Sequence, residues 1–276
     1  MEEPGIVDQF KGFLSTPDIF EQQEDPGFPV FEFPKIELSD ELINELQSLD
    51  HPRISVLGKR MESFFKLAIQ YSKRYELIAS NIQVIHEKRT IGELDFLVYD
   101  KEHSKPLHIE LVYKLYVYDK NFQEEIERYI GPNRRDSLPE KINKLKNRQF
   151  PLLFDEACRT YLSAHDLKPK DIEQQLCFKA QLFYPEDSEP ESGLLNPACK
   201  CGKWISWNNF LKWNVRENLF HTPKKIFWSS HPSANSNWMS YQEFKEQVEI
   251  LFSKKKSPLV WMKTKTSYIR FFIVWW

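Results

Sequence analysis

The stretch TIGELDFLVYDKEHSKPLHIELVYKLYVYD, residues 90–119, reads as two strands joined by a polar turn. Period-two alternation sorts its residues. In the first strand Leu94, Phe96 and Val98 point one way, and Glu93 and Asp95 the other. In the second, Ile109, Leu111, Tyr113 and Leu115 share an apolar face, while His108, Glu110 and Lys114 share a polar one. With Asp100 to Lys105 as the loop, Tyr99 pairs with Pro106, and counting inward sets Asp95 opposite Glu110. Directly opposed residues on one face have Cβ atoms roughly 5 Å apart, where like charges repel. A divalent cation between the two carboxylates would offset that repulsion. The alternative is a solvated hairpin whose acids are neutralised by nearby lysines. Against it, the acids are short and lie mid-strand, where strand propensity disfavours them, and the apolar face is unbroken.

Outward from the hairpin, 276 residues suffice for one large domain or two small ones. With 41% hydrophobic and 28% charged residues the chain is expected to be globular and soluble. A net charge of −2 gives no global pull toward nucleic acid, so such binding needs a local patch. The start, MEEPGIVDQF, is acidic and lacks the apolar core of a signal peptide. No apolar run is long enough to span a bilayer, so no membrane association is expected. Four cysteines, at 158, 177, 199 and 201, make no disulfide framework, and Cys199 with Cys201 alone is too sparse for zinc. A reducing cytoplasm is the expected location.

Residues 1–38 carry five prolines and read as an irregular arm. A core unit is expected over 39–185 and an aromatic-rich C-terminal extension packed on it over 186–276. Ser39 to Leu49 predicts a short helix with acids in its first turn. Val56 to Arg74 predicts a stronger one, its buried stripe Met61, Phe64, Phe65 and Ala68 spaced i, i+3, i+4, i+7. Ile82 to Glu87 reads as a strand before the hairpin. Gly131-Pro132-Asn133 then breaks the chain, and Ser137 with Glu140 forms a capping box opening a helix to about Arg148. That helix and its approach carry Arg134, Arg135, Lys141, Lys144, Lys146 and Arg148 against Asp136 and Glu140, a local basic patch suited to DNA phosphates. A solvated lysine-rich face is the alternative. A helix from Leu152 to Ala164 and a strand from Cys177 to Tyr184 follow, and PEDSEPESGLLNPA, residues 185–198, reads as a linker. All eight tryptophans lie between Trp204 and Trp276, where a strand-rich aromatic core is expected.

A helix with Glu62, a strand with Asp95 and a strand with Glu110, in that order, resemble the core of the PD-(D/E)XK nuclease superfamily. More closely, IGELDFLVYD, LHIELVYKLYV, GPNRRDSLPEKI and QLFYPE resemble the bacterial family called domain of unknown function 1853, which has been grouped with that fold. The resemblance covers roughly residues 55–200. It implies an α/β (α+β), restriction-endonuclease-like αβββαβ core with a mixed sheet. It also implies that Asp95 and Glu110 bind Mg²⁺ or Mn²⁺, completed by Glu62, for hydrolysis of phosphodiester bonds in DNA. Such an ion would polarise the scissile phosphate and generate hydroxide from bound water.

The family pattern has a lysine two residues after the second carboxylate. In this sequence Val112 stands there and the lysine follows at Lys114, displaced by about 6.6 Å along the strand. Lys66, one turn from Glu62, is another source of the amine. His108 shares the face of Glu110 and could serve as ligand, base or hydrogen-bonding neighbour. Three readings follow: a metal-dependent nuclease with Glu62, Asp95, Glu110 and Lys114 as its catalytic set, a nuclease-fold module that binds nucleic acid without cutting, and a protein-interaction scaffold.

Overall fold

The structure is a computed structural model that describes residues 3–21, 27–49, 56–188 and 195–276. Its helices are α1 (Ile6–Ser15), α2 (Asp40–Ser48), α3 (Leu57–Gln70), α4 (Leu138–Lys144), α5 (Glu156–Ser163), α6 (Trp207–Phe210) and α7 (Tyr241–Ser253). Its strands are β1 (Tyr75–His86), β2 (Arg89–Asp100), β3 (Lys105–Tyr118), β4 (Tyr129–Ile130), β5 (Glu173–Pro185), β6 (Lys200–Ser206), β7 (Leu219–His221), β8 (Leu259–Lys263) and β9 (Tyr268–Val274). All nine strands join one mixed sheet ordered β1-β2-β3-β5-β6-β9-β8-β7, with the short β4 against β3. β1, β2 and β3 run antiparallel in turn, and β5, β6 and β9 continue the sheet in parallel with β3. Between α3 and β5 the order is β1, β2, β3, β4, α4, α5, so the short β4 and α5 add to the elements expected for the core.

The hairpin register follows the sequence reading, with Tyr99 on Pro106 and Asp100 on Lys105. The predicted stripe of α3 is buried to the last atom at Met61, Phe64, Phe65 and Ala68. It packs with Phe96, Val98 and Ile109 in the largest hydrophobic cluster. A 3.6-residue stripe over a sheet face explains that contact.

Several elements depart from expectation. The arm contains α1, whose Phe10 and Phe13 are fully buried, Phe10 standing edge-on to Phe64 at 5.4 Å. β1 begins at Tyr75, seven residues before the expected strand. Ser137 caps α4 by accepting the Glu140 N–H, but the helix passes into a wider π turn at Leu145–Gln149 and a 3-10 turn at Phe150–Phe154. α5 therefore starts at Glu156, where the Asp155 side chain accepts the Ala157 N–H. The hairpin's polar face is not solvated. Val112 and Tyr116 on β3 join Leu138, Leu145, Phe150 and Phe178 in a second buried cluster, which covers that face.

The C-terminal region prolongs the sheet edge to edge through β6 and β9, and its Phe227, Trp228, Leu259, Trp261 and Phe272 join the cluster that α1 and α3 form on the sheet. Trp228 and Trp261 are the buried two of the eight tryptophans. Of the half-exposed six, Trp207 and Trp213 pack on a phenylalanine-rich cluster under α7, and Trp204, Trp238 and Trp276 on the cluster of α1 and α3. Residues 189–194 of the expected linker lie outside the described residues. No helix among the described residues is long and apolar enough to cross a membrane.

α1 lies directly on the 229–230 backbone. A Cβ on Gly12 would stand 1.9 Å from the Ser229 carbonyl oxygen, an approach only glycine permits. Gly12→Ala is expected to cost roughly 1–3 kcal/mol, the usual range for overpacking, read as a lower urea midpoint. An unchanged midpoint would mean α1 docks elsewhere.

Candidate metal centre

The β2–β3 ladder ends at Phe96 on Ile109. One step further, Asp95 turns its carboxylate toward β3, and Oδ2 accepts the Leu111 N–H at 2.9 Å. The side chain thus occupies a backbone donor that the ladder has left behind. It also brings Asp95 beside Glu110, the neighbour that the register predicts. On the other edge of β2, Asn81 of β1 adopts φ 54°, a left-handed conformation that asparagine tolerates. Its amide donates to Glu62 Oε2 at 2.7 Å and Glu93 Oε1 at 3.1 Å.

Glu110 is fully buried and both its oxygens accept. Gln149, from the π turn, donates to Oε2. His108 meets Oε1 through Nε2 at 3.1 Å. The tautomer follows from the far side of the ring: the Gln174 amide donates both to the Phe150 carbonyl, at 2.7 Å, and to His108 Nδ1, at 3.0 Å. Nδ1 is then an acceptor, so Nε2 carries the proton and donates it to Glu110. Burial keeps this imidazole neutral by pushing its pKa down to about 4. Lys141 closes the chain of contacts by donating to Gln149 Oε1 at 2.7 Å. Glu110 is therefore fixed in place from three elements, β3, β5 and the turn after α4.

Burial, and then the Glu110 charge, push the Asp95 carboxyl up to about 7. Burial does the same to Glu110, opposed by Lys141. Glu110 lies in hydrogen-bonding reach of the Asp95 carboxyl. Because both Glu110 oxygens already accept N–H groups, Asp95 is the partner that holds the proton when the pair shares one. Burial lowers Lys141 to about 8, with Glu110 the first opposing influence.

The structure groups the sequence candidates unevenly. Asp95 and Glu110 come together. Glu62 is close enough to raise the Asp95 pKa, but its carboxylate bonds Asn81 and Lys59. Lys114 forms an ion pair with Asp136 and does not bond either carboxylate of the pair. Lys66 is exposed on α3. Of the basic set, Lys141 and Lys144 act electrostatically on Glu110. Arg134 is structural: it bonds the buried Asp119 at 2.7 Å and lies 4.5 Å over the Trp276 ring. Arg135 lines a cavity beside Asp136, while Lys146 and Arg148 are exposed. The sequence reading missed Lys141 as the amine of the site, and Gln149 and Gln174 altogether. Gln174 reaches His108 because β5 pairs in parallel with β3 at that residue, a contact 66 positions away in sequence.

The donor set fits Mg²⁺ or Mn²⁺. Two carboxylates offer hard oxygen atoms, each with lone pairs beyond those already used, and Mg²⁺ typically takes one or two carboxylates and keeps its waters. Among the described residues no group of three or more His, Cys, Asp or Glu side chains is arranged to hold a metal ion, so Glu62 is not drawn into a three-carboxylate cage.

The raised carboxyls set a pH dependence. Both unfolded values lie near 4 and both folded values near 7, so the pair's stabilisation is complete below about pH 4 and is lost as pH rises through about 7. Without metal, the melting temperature is expected to fall between about pH 6 and pH 8 more in wild type than in Asp95→Asn. Mn²⁺ should raise it more at the higher pH, because the ligands must be deprotonated. Equal metal increments at both pH values, or in Asp95→Asn, would place the ion elsewhere.

The molecule so described is a mixed α/β protein with a carboxylate pair, one member fully buried and one half-buried, at the point where a β-hairpin ladder ends. A family described as domain of unknown function (DUF1853) matches residues 35–271, and the chain belongs to it. No curated protein and no solved structure matches.

Proposed function

We propose that the protein is a Mg²⁺- or Mn²⁺-dependent nuclease of the PD-(D/E)XK type that hydrolyses phosphodiester bonds in DNA. The observation that carries the reading is the pair Asp95 and Glu110, adjacent acids with raised pKa values, the first half-buried and the second fully buried, with an amine, Lys141, beside them. Perturbed acids and bases gathered at one place are a mark of chemistry. The succession of α3, three antiparallel strands, α4 and a parallel strand agrees with that type of core.

A divalent ion bound there would supply charge to polarise a phosphoryl oxygen and acidify a water. The chain's own residues do the rest. Asp95 and Glu110 provide the ligand oxygens. His108 and Gln149 orient Glu110, as outer partners of metal ligands commonly do. Lys141 places a positive charge, or a neutral amine at higher pH, next to the reacting phosphate. Lys144, three residues along, adds a phosphate contact.

One observation favours a second reading, a module that binds nucleic acid without cutting: Val112 stands where the family pattern has its lysine, and Lys114 is paired with Asp136. Incubation of labelled DNA with Mn²⁺ and purified wild type separates the two. Cleavage that disappears in Asp95→Ala supports the nuclease; salt-dependent binding with no cleavage supports the module.

A further inference from the structure

On its β2 side, β3 pairs with β2 up to Ile109 and with β4 from Val117, and no pairing is formed there by the residues between. Along this open edge, four residues and about 13 Å beyond Glu110, lies Lys114. Its side chain lines a cavity of about 530 Å³ together with Arg135, Asp136, Lys224, Lys225 and Trp228. The first turn of α3 closes one side, through Leu57 and Gly58, and carries no acidic residue. A Cβ on Gly58 would meet nothing within 4 Å, so the backbone there faces open space.

The charges around the cavity do not balance. Lys114 pairs with Asp136, and Lys224 reaches Glu3 at 3.0 Å. Arg135 and Lys225 form no ion pair with any described residue. The Lys225 ammonium lies 5.6 Å from the centre of the Trp228 ring. Burial and then the nearby Lys114 lower its pKa, and Asp136 opposes them. Both side chains, Arg135 and Lys225, are exposed to solvent. Here they converge on a concavity that opens on the same strand as the carboxylate pair.

We propose that this cavity is a second phosphate-binding site, with Arg135 and Lys225 gripping a backbone phosphate of the nucleic-acid strand whose scissile phosphate lies at Asp95 and Glu110. The identity of the ligand as nucleic acid rests on the function proposed above. Phosphates recur every few ångströms along a strand, so one chain running along the open edge of β3 reaches both places within a few nucleotides. Arg135 supplies a planar fork for two phosphate oxygens, and Lys225 a point charge. The cavity would fix the direction in which the strand crosses the carboxylates.

The test is fluorescence anisotropy of a labelled DNA oligonucleotide in EDTA, over a series of salt concentrations. The proteins are wild type, the double variant Arg135→Ala/Lys225→Ala, the reversal Lys225→Glu, and Lys245→Ala on α7 as a surface control. Removing both cations should lower the slope of log affinity against log salt by about 1 for each residue. Lys225→Glu should weaken binding further than loss of that lysine alone, and the control should match wild type. Cleavage in Mn²⁺ is measured in parallel. Wild type that binds, and loses slope in the double variant, but never cleaves would leave the phosphate site standing and remove the nuclease. Wild type that cleaves, while the double variant and Lys225→Glu keep its affinity and slope, would remove the phosphate site alone. No DNA binding by wild type at low salt would overturn the inference.

Discussion

Asp95→Ala and Glu110→Ala are each expected to abolish Mn²⁺-dependent cleavage of DNA, a loss of at least about 10²–10³-fold, the scale of removing one electrostatic contact at a reacting centre. The two acids are not equivalent, and their variants should differ in stability. Glu110 is fully buried and accepts from His108 and Gln149, so its truncation leaves one buried and one half-buried donor without an acceptor. That costs about 1–3 kcal/mol for each donor stranded. Asp95→Ala strands only the Leu111 N–H, and relief of the repulsion between the carboxylates is common to both variants. Glu110→Ala should therefore melt well below Asp95→Ala in EDTA. Cleavage at the wild-type rate by either folded variant would remove the pair from the chemistry.

The second large effect separates two lysines. Lys141→Met is expected to lower the cleavage rate at saturating DNA by about 10²-fold, the lower end for a positioned acid or base. Lys114→Ala should instead change the salt dependence of binding, because its ammonium is held by Asp136 beside the cavity and not by the carboxylate pair. A contact made only in the transition state lowers turnover, whereas one made equally in ground and transition states changes affinity. Lys66→Ala, on the exposed side of α3, should leave both unchanged. A rate lost with Lys114 and kept with Lys141 would return the amine to the displaced position on β3.

The hairpin and α3 were legible because their information is local. A strand repeats every two residues and a helix every 3.6, so Asp95 could be set beside Glu110, and Met61 to Ala68 buried, from residue order alone. The burial of His108 and Glu110 was not legible. It depends on β5 pairing in parallel with β3 at Gln174 and on the turn after α4 folding back to deliver Gln149 and Phe150. Those contacts join segments 24 to 66 residues apart, and no short-range pattern encodes them. Lys141 was visible as a member of a basic helix, but charge runs do not say which member faces an acid. The tryptophans misled for a related reason. Their number suggested a core, whereas phenylalanines fill the cluster under α7, with Trp207 and Trp213 half-exposed against it. α1 was hidden because the prolines of the arm drew the eye from IVDQFKGFLS, whose Phe10 and Phe13 lie three apart on one face.

The central claim is that Asp95 and Glu110 together hold a divalent cation. Crystals soaked in Mn²⁺ and measured at a wavelength where manganese scatters anomalously test it most directly. The expected result is a peak between the two side chains, at about 2.0–2.2 Å from an oxygen of each, with water completing the coordination and Glu62 still bonded to Asn81. A difference map with no peak at the pair, at Mn²⁺ concentrations that raise the melting temperature in solution, would contradict it.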